Sequence, residues 1–264
     1  MRIVKYLLAT LLMGMATMAQ ARMVNQPVEW TQDGIRFHSV LVYDAAVNTK
    51  RPGLVMVPNW YGVNAMAVQK AEMLAGKDYV ILLTDMYGAK VRPAQGDAGQ
   101  ALAAVKPLYA DRGLMRRRVN EALAQLKAQA GHAPIDLNNL AAIGFCFGGS
   151  AVLDLARSGA DVKAVVSFHG GLTTDNPALA KNIKARVLAM NGADDTSTMP
   201  DAGKFIDEMR GSPAEWQFVV IGHAVHCFTE KGENSAGCRY DEKAAQRSYR
   251  LMHDWLRESF ANQP

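Results

Sequence analysis

Gly144-Phe145-Cys146-Phe147-Gly148-Gly149 closes the apolar run Asn139 to Phe145 and leads into a helical pattern that starts near Gly149. A strand that turns into a helix around one presented side chain needs small residues two before and two after it, because the chain approaches itself closely there. Gly144 and Gly148 fill those places, with Cys146 between them. The amides and positive dipole end of the following helix favour negative charge nearby. The pattern is G-x-S-x-G with cysteine for serine, which nominates Cys146 as a nucleophile and the Phe147 N–H as an oxyanion donor. Taken alone, an inert buried cysteine beside a Gly-rich turn is an equal reading.

Working outward, short β-branched runs alternate with helical stretches. Strands are predicted at Ile35 to Tyr43, Gly53 to Val57, Tyr79 to Thr84, Asn139 to Phe145, Val162 to Phe168, Ala185 to Asn191 and Glu215 to Ile221. Val80-Ile81-Leu82-Leu83 is apolar throughout, as a strand covered by helices on both faces should be. Helices are predicted from Asp111, as N-cap, to about Ala130, with Gly131 as a stop, and from Asp241 to Phe260. The alternation argues a single α/β domain with a doubly wound, mainly parallel sheet flanked by helices, the α/β-hydrolase architecture when joined to the Cys146 turn. Gly88, Pro93, Gly96 and Gly99 mark a loop expected near the carboxyl edge of the sheet, where ligands bind.

That architecture supplies a nucleophile, an acid and a histidine in this chain order. Gly192-Ala193-Asp194-Asp195 follows one predicted strand, and Gly222-His223-Ala224-Val225-His226-Cys227-Phe228 follows the next. A histidine there can take the thiol proton and return it to the leaving group, while the acid fixes its tautomer. The pattern leaves Asp194 or Asp195, and His223 or His226, open. The His-x-x-His spacing lacks a third ligand for a metal, so neither metal nor cofactor is expected.

The N-terminus reads as an export leader. Arg2 and Lys5 precede an apolar run from Tyr6 to Met18, and Ala19-Gln20-Ala21 suits cleavage after Ala21. The expected mature domain is then 22–264, in an oxidising, periplasmic compartment, with no membrane span after cleavage. Loss of the two leader cations takes the formal charge from +4 to +2, too near neutral to call for nucleic acid. Arg116-Arg117-Arg118 reads as the solvated face of a helix. Of three cysteines, Cys227 and Cys238 are close enough in sequence to close a small loop, leaving Cys146 free.

Together these segments resemble the dienelactone hydrolase family of cysteine α/β-hydrolases. The resemblance runs from about Gly53 to Leu256. It also takes in Val57-Pro58-Asn59-Trp60-Tyr61-Gly62-Val63-Asn64, Thr84-Asp85-Met86-Tyr87-Gly88, Ser167-Phe168-His169-Gly170 and Ala224-Val225-His226-Cys227-Phe228-Thr229. It implies Cys146 as nucleophile, Asp195 as acid and His226 as base, with a second oxyanion amide from Trp60 and with Asn59 and His169 near the pocket. His169 is equally well a hydrogen-bonded structural residue at a strand end. Two departures stand out. The family usually carries Glu where this chain has Asn59, which cannot accept a proton. One of the arginines that bind a substrate carboxylate is replaced by Glu230; Lys90 or Arg92 would have to stand in for another, so dienelactone itself is disfavoured.

The function implied is cleavage of small esters or lactones through an acyl-enzyme. A non-catalytic periplasmic binding module on a degenerate hydrolase fold is the competing reading, and a thiol redox sensor a third. Oligomeric state is not encoded in any of these motifs.

Overall fold

A computed structural model describes residues 21–261. The expected leader falls almost wholly outside the described residues. The chain forms β1 (Met23–Gln32), β2 (Ile35–Asp44), β3 (Arg51–Val57), α1 (Ala65–Ala75), β4 (Val80–Leu83), α2 (Ala98–Ala110), α3 (Arg112–Ala128) and β5 (Ile135–Phe145). It continues through α4 (Phe147–Arg157), β6 (Ala164–Phe168), β7 (Arg186–Gly192), α5 (Ala202–Arg210), β8 (Trp216–Ile221) and α6 (Glu242–Ala261).

The strands make one eight-stranded sheet in the order β1-β2-β4-β3-β5-β6-β7-β8. β3 to β8 run parallel to one another, while β2 pairs antiparallel with β4, and β1 with β2, at one edge. Apolar side chains cover both faces: Val55, Val57 and Leu82 belong to one core, and Leu54, Met56 and Ile81 to the other. That two-sided cover is why the central strands read as unbroken apolar runs.

Strand and helix assignments hold to within a few residues, and differences have local causes. β1 is not among the predicted strands. It pairs with β2 from Met23↔Asp44 to Gln32↔Ile35, joined by Asp33-Gly34 at φ 51° and 74°. Both positive angles mark the Asp-Gly hairpin turn, which was present in the sequence as a signal. Asp111 caps α3 as expected, its carboxylate accepting from the Leu114 N–H at 2.8 Å. α4 starts at Phe147, because Cys146 alone makes the turn from strand to helix.

Arg116-Arg117-Arg118 is not a solvated face. Three consecutive helical residues fan over more than half the circumference. Only Arg117 is exposed; Arg116 pairs with Asp175 at 2.8 Å, and Arg118 turns inward, donating to the Met86 carbonyl at 2.6 Å. Nearby, buried Asp154 of α4 accepts from Arg112 of α3 at 2.9 and 3.0 Å, tying the two helices together, and from Arg157 of its own helix at 3.1 Å.

Candidate active site

Cys146 sits at the carboxyl end of β5 with φ 53° and ψ −116°, a strained backbone conformation for a residue with a side chain. Its N–H donates to the Phe168 carbonyl at 3.0 Å, pinning the turn to β6. The glycines are required by contact. A Cβ on Gly144 would lie 2.1 Å from the Gly148 carbonyl oxygen, and one on Gly148 would lie 2.0 Å from the Val57 carbonyl oxygen. The second contact presses the start of α4 against the end of β3, and so brings Phe147 beside the loop that carries Trp60. The Phe147 N–H opens a helix and has no intrahelical acceptor. Among the described residues, the Trp60 N–H has no backbone acceptor either.

The loops after β7 and β8 bring in the other two groups. His226 Nε2 lies 3.1 Å from Cys146 Sγ, and Nδ1 lies 2.7 Å from Asp195 Oδ2. An ionised carboxylate only accepts, so Nδ1 carries hydrogen and Nε2 faces the sulfur. Asp195 is buried, and its oxygens also accept from the Ser197 N–H at 2.9 Å, the Ser197 hydroxyl at 2.5 Å and the Thr198 hydroxyl at 2.7 Å. Burial works against charge on Asp195, but those donors and the imidazolium outweigh it and hold the carboxyl well below its usual range. Burial likewise disfavours charge on His226. Its bonds to Asp195 and Cys146 prevail and raise it to about 10. Asp194 and His223 are the unused neighbours: both are exposed, and they face each other at 4.0 Å. Gly192 allows the two loops to meet, since a Cβ there would lie 2.3 Å from the Ala224 carbonyl oxygen.

Cys227 and Cys238 form a disulfide, with Cys146 the free thiol. The bridge adjoins His226 directly: the Arg239 N–H donates to the His226 carbonyl at 3.0 Å. His169 is fully buried. Its Nε2 meets the Thr229 hydroxyl at 2.7 Å, and its ring stands edge-on to that of His226 at 5.1 Å between centroids. It packs behind the His226 ring. Burial, with the charge on His226, keeps it well below the ordinary histidine range and therefore neutral.

A profile of the dienelactone hydrolase family matches residues 37–260. The chain belongs to that family. A dienelactone hydrolase-like promiscuous phosphotriesterase from metagenomic libraries is 34% identical, with a TM-score of 0.82 over 90% of this chain and 99% of that one. An uncharacterised Caenorhabditis elegans protein is 34% identical over 161 residues, 56% of this chain and 96% of that protein. A Methylorubrum extorquens protein named as a carboxymethylenebutenolidase is 27% identical over 222 residues, 78% of this chain and 72% of the relative. The chain is thus a hydrolase of the dienelactone hydrolase type.

Against the dienelactone hydrolase pattern, the two departures meet in space: Asn59 Nδ2 donates to Glu230 Oε2 at 2.6 Å. Arg92 is not free to stand in for a substrate-binding arginine, because it donates to Asp85 at 2.8 Å and to the Gly88 carbonyl at 2.9 Å. Lys90 is exposed. Two further residues, Tyr87 and Tyr109, pack at the Cys146 turn. Tyr87 donates to the Trp60 carbonyl at 3.0 Å, and Tyr109 packs edge-on against Phe147 with its hydroxyl 3.2 Å from that of Ser150. Burial, reinforced by negative charge at Cys146, raises the Tyr109 hydroxyl to about 12. Tyr87 lay inside a quoted motif. Tyr109 ends α2 with no local pattern to mark it.

Proposed function

We propose that this chain hydrolyses small esters or lactones through a Cys146 acyl-enzyme. The observation that carries the reading is the unbroken line from Asp195 through His226 to Cys146, at 2.7 and 3.1 Å. His226 Nε2, 3.1 Å from Sγ, takes up the Cys146 thiol proton, which makes the ring imidazolium. The sulfur attacks the carbonyl carbon, a C–S bond forms, and the carbonyl electron pair moves to oxygen, held by the Phe147 and Trp60 amides. As that oxygen re-forms its double bond, the carbon–oxygen ester bond breaks and the leaving oxygen takes the proton on His226 Nε2. Water then attacks the thioester, His226 receives its proton, and the thiolate departs. Asp195 holds the ring in one tautomer throughout.

Purified protein should hydrolyse p-nitrophenyl acetate, and Cys146→Ala or His226→Ala should remove at least about 10³-fold of the rate. Unchanged turnover in both variants would refute the mechanism. A neutral phosphotriester belongs in the same screen, since the similar metagenomic protein is named for that chemistry. The non-catalytic alternative finds no support in a site with nucleophile, base and acid in register; stoichiometric acylation without turnover is the result that would restore it. Export to an oxidising compartment is part of the proposal and is supported by the Cys227–Cys238 disulfide. Cell fractionation tests it.

A further inference from the structure

Asn59 immediately precedes Trp60, and its side chain makes two bonds. Oδ1 accepts from the Tyr61 N–H at 3.0 Å, while Nδ2 donates to Glu230 at 2.6 Å. The Asn59 carbonyl accepts from the Gly62 N–H at 3.0 Å. The amides of Tyr61 and Gly62 are therefore both consumed within this turn, and Tyr87 holds the Trp60 carbonyl from the other side. The peptide planes around Trp60 are fixed, and among the described residues its own N–H has no backbone acceptor.

Glu230 is four residues beyond His226, on the segment spanned by the disulfide. It is nearly buried, as is Lys70 of α1, whose Nζ lies 2.5 Å from Glu230 Oε1. A buried carboxylate needs such a partner, and Lys70 has a second contact with the Phe145 ring at 4.2 Å. The Glu230 N–H donates to the Cys227 carbonyl at 2.7 Å. Glu230 thus joins the loop carrying the base to the turn carrying Trp60 by a charge-assisted hydrogen bond, which is short and strong among its kind.

We infer that Lys70, Glu230 and Asn59 are positioning residues that hold the Trp60 N–H where a transition-state oxyanion forms, in register with the base. The inference rests on the acyl-enzyme reading above. It separates two reactions of the same sulfur. Acylation by an ester develops an oxyanion and needs the amide; alkylation by iodoacetamide displaces iodide from a saturated carbon and develops none. Both need the Cys146–His226 pair.

The test compares kcat/KM for p-nitrophenyl acetate with the rate of Cys146 alkylation by iodoacetamide in Asn59→Ala, Glu230→Ala and Glu230→Gln. Asn59→Ala and Glu230→Ala should lose about tenfold or more in acylation, part of the ~10²–10³ that a whole oxyanion donor supplies. Their alkylation rates should stay within about twofold of wild type. Glu230→Gln keeps an acceptor for Asn59 Nδ2 and should recover most of the acylation rate. Wild-type alkylation kinetics also show that each sample is folded, and Asn59→Ala carries the test if Glu230→Ala is lost to the unpaired Lys70. Acylation and alkylation falling in parallel, or neither falling, would overturn the inference. A wild type that is alkylated but turns over no ester would instead overturn the reading on which it rests.

Discussion

At Gly148 a hydrogen stands where any side chain would collide with the backbone of β3. A Cβ would sit 2.0 Å from the Val57 carbonyl oxygen and 2.6 Å from that of Pro58. Neither atom is the free end of a flexible side chain, so strand or turn must move. Overpacking of this kind costs about 1–3 kcal/mol, occasionally more. The movement falls between Phe147 and Trp60, the two proposed oxyanion donors. Gly148→Ala should therefore lose most of its ester turnover, at least about 10²-fold, while keeping the helix and sheet signature in circular dichroism. Near wild-type turnover would show that the turn tolerates the shift. This residue was legible in the sequence because its constraint is local: Gly144, Cys146 and Gly148 specify the turn. The Asn59–Glu230 bond was not legible, since it joins residues 171 apart. The motifs marked each as a departure and gave no sign that they touch. Asp195 over Asp194 is a similar case. Spacing leaves both open, and only the loop path decides which carboxylate turns inward.

At the scale of elements, the segment after β8 has little regular structure, yet it carries His226. Its order comes from cross-links: the disulfide, the Arg239 bond to the His226 carbonyl, and the Asp194 N–H donating to the Ala224 carbonyl at 2.9 Å. Closing a loop of this length removes unfolded-state entropy worth about 3 kcal/mol in the chain-entropy account. The native enzyme should titrate one thiol, Cys146, and three after reduction. Reduced protein, or the Cys227→Ser/Cys238→Ser double variant, should melt lower and lose kcat, because His226 adjoins Cys227. Three thiols without reductant would remove the premise, and full activity after reduction would show that the remaining bonds suffice. The same scale explains what pattern reading caught. Buried parallel strands announce themselves through composition, and capped helices through their ends. The edge hairpin was missed despite Asp33-Gly34, because β1 alternates weakly: Val28 and Trp30 are buried, but Asn25, Gln26 and Glu29 give it a polar cast. The arginine run reads as one charged face, but a helix distributes consecutive residues around its axis.

Across the whole molecule, the triad couples folding to pH at two separate ends of the scale. His226 is raised from 6.5 to about 10. A group raised on folding stabilises the native state fully below its unfolded value, and that contribution drains away as pH climbs through the folded value. The window is therefore about pH 6.5 to 10. Asp195 is depressed, so its contribution is complete above its ordinary value near 3.8 and is lost as pH falls through the folded value. Between about pH 4 and 6.5 both contributions are present. The melting-temperature gap between wild type and His226→Gln should accordingly narrow from pH 6.5 to 10, whereas the gap for Asp195→Asn should narrow only in acid. A His226→Gln gap that stays flat through the alkaline window would mean that the folded protein does not hold this imidazole protonated. Activity follows the same proton: above about pH 10 the ring no longer carries the hydrogen that the leaving oxygen needs, and kcat should fall. Cys146→Ala supplies the internal control, because it removes one of the two bonds that favour imidazolium. In that variant the His226 titration, followed by its ring proton resonances, should move down from about 10 while the fold stays intact. A midpoint that does not move would assign the raised value to Asp195 alone.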